Sequence, residues 1–217
     1  MEKRTKKFVC ASALAVLTIV FTIFVKLVDV QAIGPENSAV GFATLNSFVS
    51  SVIGSNMKWY RITEMLGLIP IVVVLLYAIV GVVQLVKRKS LAKVDKEIIN
   101  LGIFYVIVAA IYLFFEKCII NYRPILIDGV LEASYPSSHT MLAIFVCVSA
   151  IIVNRSLIKN SNLRKILDVF LSIIGVAIVF GRVISGIHWC TDIVAGALFS
   201  ITLVEFFEAV CMKKEIK

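Results

Sequence analysis

Long apolar runs dominate the chain, separated by short stretches in which the charged residues gather. A bilayer core of about 30 Å needs roughly 20 apolar residues in a helix. Six stretches approach that requirement, at about 8–25, 66–86, 98–115, 140–153, 166–180 and 193–212. The fourth and fifth are short by this measure and need a turn or more from their flanks. The runs are continuous Val, Ile, Leu and Phe rather than brief alternating segments, which excludes a membrane β-barrel. The pattern predicts an all-α, polytopic membrane protein: six transmembrane helices bundled as one domain over 1–217.

A weaker helical period lies between the first two runs. Phe42, Leu45, Phe48 or Val49, and Val52 recur at three-to-four-residue spacing, bounded by Asn37-Ser38 and Gly54. This predicts a short helix over about 38–54 in the outer interface, with Trp59 and Tyr60 as anchors. A sharper reading is that the helix shapes lateral access for a lipid. The basic start, the first apolar run and Val30-Gln31-Ala32 also have the look of a signal peptide. The length of that run, with Lys26 interrupting its end, favours an uncleaved first span.

Composition strengthens the membrane reading. Of 217 residues, 60% are hydrophobic and 17% charged, and the mean hydropathy is +0.98. A soluble domain of this size needs more polar surface. The net charge of +8 does not indicate nucleic acid, because the basic residues form no single soluble face. They cluster between spans: Lys3, Arg4, Lys6 and Lys7; Lys87, Arg88, Lys89, Lys93 and Lys96; Arg155, Lys159, Arg164 and Lys165; Lys213, Lys214 and Lys217. Sixteen of the 22 basic residues thus share one side, leaving Lys26, Lys58, Arg61, Lys117, Arg123 and Arg182 on the other. By the positive-inside rule both termini are expected in the cytoplasm. Five cysteines, at 10, 118, 147, 190 and 211, show no CxxC spacing and suggest neither a zinc site nor a disulfide framework.

The polar residues with chemical potential fall in two outer connections. One contains Glu116, Lys117, Asn121, Arg123-Pro124 and then Pro136-Ser137-Ser138-His139. The other contains Gly181-Arg182 and then His188 and Asp192. The only two histidines, His139 and His188, both stand at the outer end of a span. Arg123 and Arg182 are permanently charged planar donors suited to phosphate oxygens. Ser137, Ser138 and His139 lead into the fourth span, so their backbone N–H groups form an anion site at a helix N-terminus. His188 and Asp192 share a helix face, and a carboxylate on one ring nitrogen leaves the other free to attack. A second histidine can protonate a departing oxygen. The set demands no metal and no cofactor, since two arginines would repel a cation. Singly, such residues are common as interfacial anchors or helix caps. Their convergence on the side otherwise depleted in basic residues is what carries weight.

At these positions the chain resembles the PAP2 superfamily of membrane phosphatases, whose pattern is Lys-x6-Arg-Pro, Pro-Ser-Gly-His, and Ser-Arg-x5-His-x3-Asp. The second block reads Pro136-Ser137-Ser138-His139, and the third reads Gly181-Arg182, then His188 and Asp192 at the family spacing. The resemblance implies that His188 attacks phosphorus to give a phosphohistidine, oriented by Asp192. It implies that His139 protonates the leaving group and later activates water. Arg123, Arg182, Ser137 and Ser138 would bind the phosphoryl oxygens. Three positions depart from the pattern. Glu116 stands where the family has lysine, and Lys117 is expected to take that role through a shift of the helix end, although one step rotates a side chain by ~100°. Ser138 and Gly181 replace the family glycine and serine.

The expected activity is hydrolysis of a lipid phosphate or diphosphate ester at the outer membrane face. Undecaprenyl diphosphate, phosphatidic acid and phosphatidylglycerol phosphate all remain open as substrates. A phosphotransferase using the same phosphohistidine is the nearest alternative. A non-catalytic transporter should place essential charges at the midplane. Asp168, Glu205 and Glu208 instead sit towards the cytoplasmic ends, within expected reach of Arg164, Lys165 or Lys213.

Overall fold

The computed structural model describes residues 3–212. Within it the chain forms α1 (Lys3–Leu27), α2 (Ala43–Ile53), α3 (Met57–Arg88), α4 (Lys96–Lys117), α5 (Ser138–Leu157), α6 (Ser161–Ser185) and α7 (Cys190–Cys211). All except α2 are long and apolar enough to cross a membrane. The described residues contain no sheet, only three isolated β-bridges. The all-helical, six-span architecture expected from the apolar pattern is therefore the one observed. Lys213, Lys214 and Lys217 lie outside the described residues.

Local capping carries several helices beyond their apolar stretches. The Asn56 side chain accepts from the N–H groups of Lys58 (3.1 Å) and Trp59 (3.2 Å), starting α3 well before residue 66. Trp59 and Tyr60 thus belong to a helix rather than a loop. Ser137 caps α5, and Asn160 caps α6 by accepting from Asn162 and Leu163. The two stretches that looked short become helices of 20 and 25 residues.

The segment expected to be helical over 38–54 is helical over Ala43–Ile53, preceded by a bridge between Gln31 and Val40. Its inward face is polar: buried Asn46 donates to Gly41 O (2.8 Å) and Thr191 Oγ1 (3.0 Å). Leu45, Phe48 and Val52 face outward and are exposed. This is the orientation an interfacial helix needs.

Helix α5 lies at the centre, packed on α3, α6 and α7, while α1 lies along α7. The Phe104, Phe145 and Phe207 rings meet in the core at centroid distances of 5.5–6.3 Å. Outer faces are apolar as well: α3 exposes Leu68, Ile71, Leu75, Ile79, Val82 and Val86. That surface suits hydrocarbon, where helices satisfy their own backbone groups. Lys7 of α1 pairs with Glu205 (2.9 Å) and Glu208 (2.8 Å) of α7. Asp168 accepts from the Asn154 amide at 3.0 Å. Among the described residues these partners are not the expected Arg164 and Lys165, because α1 runs beside α7 and α5 beside α6; the expected role of Lys213 lies outside the described residues. All five cysteines are free.

Candidate active site

At one end of the bundle α3, α4, α5, α6 and α7 meet beneath the loop 118–137. Backbone hydrogen bonds from Arg123 N to Glu132 O (3.0 Å) and from Ser134 N to Asn121 O (2.9 Å) fold that loop on itself. They bring Asn121, Arg123 and Ser134 over the N-terminus of α7. The cavity below measures about 630 Å³ and is lined in part by Tyr60, Glu64, Arg123, Ser138, His139 and His188.

His188 occupies the short connection between α6 and α7 and is 7% exposed. Its Nε2 lies 3.3 Å from Arg123 Nη1, and its Nδ1 lies 3.0 Å from Ser134 Oγ. Asp192 is fully buried and its nearest approach to the ring is 3.9 Å, beyond hydrogen-bonding distance. Asp192 instead accepts from Ser134 Oγ (2.5 Å), Asn121 Nδ2 (3.1 Å) and the Trp189 N–H (3.0 Å). Burial pushes His188 well below the ordinary histidine range, and the Arg123 and Arg182 charges push the same way. The ring is therefore neutral at neutral pH, as a nitrogen nucleophile requires.

His139, in the first turn of α5, lines the same cavity as His188. Its Nε2 is 3.4 Å from Glu64 Oε1, and its Nδ1 is buried without a protein partner. Helix α3 passes this ring at Gly67, where an added Cβ would lie 2.6 Å from His139 Cδ2. Arg182 is fully buried behind the cavity and pairs with Glu64, while its Nε and Nη1 have no protein partner. Arg123 Nε stands 2.9 Å from Glu132 Oε2. The Tyr60 ring lies 5.2 Å from the Arg182 guanidinium and 6.0 Å from that of Arg123, so one aromatic ring serves both cations.

Of the residues singled out in the sequence, Arg123, Ser138, His139 and His188 line the cavity, with Arg182 and Asp192 directly behind them. Ser137 is fully buried, and its hydroxyl accepts from Thr140 Oγ1 at 3.0 Å as the cap of α5. Lys117 is exposed at the last position of α4 and is not among the lining residues, whereas Glu116 is. The departure at Gly181 has a packing reason: a Cβ there would fall 2.3 Å from Thr63 Cγ2. Glu64, Ser134, Glu132 and Tyr60 are the contributors that motif spacing did not reveal. A carboxylate near the end of an apolar span was the one available signal for Glu64.

Two arginines, a helix N-terminus, a neutral buried imidazole and a second imidazole converge on one water-accessible cavity. This is equipment for holding a tetrahedral oxyanion and exchanging one of its ester bonds. In protein class, the molecule is a polytopic helical membrane protein whose candidate site is built to hold phosphate-like anions. The PAP2 superfamily model matches residues 114–214, the part of the chain that supplies most of this site. That region is similar to the PAP2 superfamily, in line with the motif resemblance. Its fold is similar to the crystal structure of a transmembrane PAP2-type phosphatidylglycerolphosphate phosphatase from Bacillus subtilis. The TM-score is 0.62 at 17% identity, covering 91% of this chain and 94% of that one. No curated protein matches the sequence. Hydrolysis of lipid phosphates is the activity that the family match supports.

Proposed function

We propose that the enzyme hydrolyses a lipid phosphate or diphosphate ester through a phosphohistidine on His188, at a site facing the extracytoplasmic side. The observation that carries this reading is the placement of His188 Nε2 on the cavity wall beside Arg123, with His139 on the same cavity. The neutral Nε2 attacks phosphorus as the bond to the leaving oxygen breaks, and His139 gives that oxygen its proton. Water then attacks the phosphohistidine, His139 takes its proton, the P–N bond breaks and inorganic phosphate leaves. Arg123, Arg182 and the backbone N–H groups at the start of α5 hold the phosphoryl oxygens throughout. Arginine charge does the work of a cation here, so the proposed reaction is metal-independent.

The sidedness rests on charge. Arg4 and Lys7 contact the far end of α7, and Arg88 pairs with Asp95 at that same end of the bundle, opposite the cavity. Basic clusters at that end favour a cytoplasmic placement for it and for both termini. Undecaprenyl diphosphate, phosphatidic acid and phosphatidylglycerol phosphate form the substrate panel. The test is phosphate release by purified protein in detergent with EDTA, beside His188→Ala. Turnover by the wild type and none by the variant is expected; equal activity in both would remove His188 from the chemistry.

A further inference from the structure

In the PAP2 pattern the aspartate four residues after the histidine is read as the group that orients it. Here no direct hydrogen bond joins the two side chains, whose nitrogen and oxygen stand 3.9 Å apart. We propose that Ser134 is the positioning residue of the nucleophile: its hydroxyl carries the orienting effect of Asp192 to the His188 ring and fixes which ring nitrogen is free to react. The inference rests on His188 being the attacking group.

The hydrogen-bond directions support it from both ends of the ring. Asp192 only accepts, so the 2.5 Å contact from Ser134 Oγ uses the single hydroxyl proton. Ser134 Oγ can then only accept from His188 Nδ1, 3.0 Å away, which requires the proton on Nδ1. At the other nitrogen stands Arg123 Nη1, 3.3 Å away. A guanidinium only donates, so Nε2 must carry the lone pair. The opposite tautomer would set N–H against N–H at one end and a lone pair against a committed hydroxyl at the other. Both contacts demand the same arrangement, with the proton on Nδ1 and the lone pair on Nε2, where Arg123 donates to it at rest.

Ser134 is itself held firmly. It is only 3% exposed. Its backbone N–H donates to Asn121 O (2.9 Å), and the Asn121 side chain donates to the other oxygen of Asp192 (3.1 Å). During reaction Nε2 bonds to phosphorus while Nδ1 keeps its proton, so the ring becomes cationic. Its nearest counter-charge is Asp192, reached through the Ser134 hydroxyl. The relay therefore contributes more to the transition state than to substrate binding, and its loss should appear in kcat rather than KM.

The experiment compares Ser134→Ala and Ser134→Thr with wild type by kinetics and by ¹⁵N-histidine NMR. With only two histidines in the chain, a His139→Gln sample assigns both rings. Ser134→Ala is expected to lower kcat by about 10- to 100-fold with KM little changed. Its His188 spectrum should lose the pure Nδ1–H form seen in wild type. Ser134→Thr, which keeps a hydroxyl, should recover the tautomer and most of the rate. An unchanged tautomer and unchanged kcat in Ser134→Ala would overturn the proposal. The spectrum reads the ring without turnover: a tautomer shift in a protein that hydrolyses no lipid phosphate would support the relay and overturn the hydrolase reading. Hydrolysis by both proteins with an unaltered ring would do the reverse.

Discussion

Glu64 of α3 is ion-paired with the buried Arg182 of α6, across 118 positions of sequence. The same carboxylate oxygen lies 3.4 Å from His139 Nε2. Both partners are groups that the proposed reaction aims at the phosphate ester. Substrate phosphate and Glu64 therefore compete for the same donors, and the carboxylate stands where an oxyanion is wanted.

Replacing Glu64 should separate stability from affinity. Glu64→Gln leaves the Arg182 charge buried without its counter-ion, and an unfolding free energy lower by about 1–3 kcal/mol is expected. Inorganic phosphate or orthovanadate should bind more tightly to the variant, by about fivefold or more, because no carboxylate has to be displaced. Thermal unfolding with and without phosphate measures both: phosphate should raise the Tm of Glu64→Gln more than that of wild type. A smaller rise in the variant would mean that Glu64 helps to bind the anion.

The acid behaviour of His188 follows from its surroundings. Burial and two neighbouring arginines lower its pKa well below the ordinary value of about 6.5. The folded ring therefore stays neutral as pH falls through 6.5, while an unfolded chain takes up a proton there. Stability should fall with falling pH from that point, since the unfolded state binds more protons. NMR titration of the His188 ring should show no protonation at pH 6. A midpoint at or above 6.5 would show that the site is wetter or less positive than the described geometry.

Gly181 stands where the PAP2 pattern has serine, and restoring the serine should be harmful rather than helpful. Its Cβ would meet the methyl of Thr63, a buried residue whose hydroxyl is tied to Trp59 O (3.0 Å) and Tyr60 O (2.8 Å). Gly181→Ser is expected to destabilise by about 1–3 kcal/mol through overpacking between α3 and α6. Chemical denaturation of the two proteins in the same detergent tests this. Equal stability with higher turnover would show that the bundle yields and that the lost hydroxyl mattered.

Much of this architecture was legible in the chain because lipid imposes a simple rule. Each span must be apolar and helical, so the six runs announced themselves, and lysine and arginine clusters marked one end. The groups with fixed motif spacing were legible too, since His188 and Asp192 share one short segment and His139 opens a span. What stayed hidden was long-range pairing. Glu64 lies just before the apolar run that starts at residue 66, and only the cap at Asn56 extends α3 to include it. Ser134 has no motif spacing to mark it, because its meaning depends on the fold of 118–137 over α7. Spacing suggested a direct contact from Asp192 to His188; the hydroxyl between them is visible only in three dimensions. Ser137 carried a motif position but spends its hydroxyl on its own helix. The Glu116–Lys117 step was legible as a departure, whereas the exposure of Lys117 depended on how α4 ends.

The most direct measurement is to trap the intermediate. Wild-type protein would be quenched during turnover of a ³²P-labelled lipid phosphate, then tested for label that survives alkali and is lost in acid, as a phosphoramidate is. Wild type should carry such label on the peptide containing His188, and His188→Ala should carry none. If turnover proceeds without any protein-bound phosphate, or the label lies on another residue, water or a different nucleophile attacks phosphorus and the role assigned to His188 is wrong.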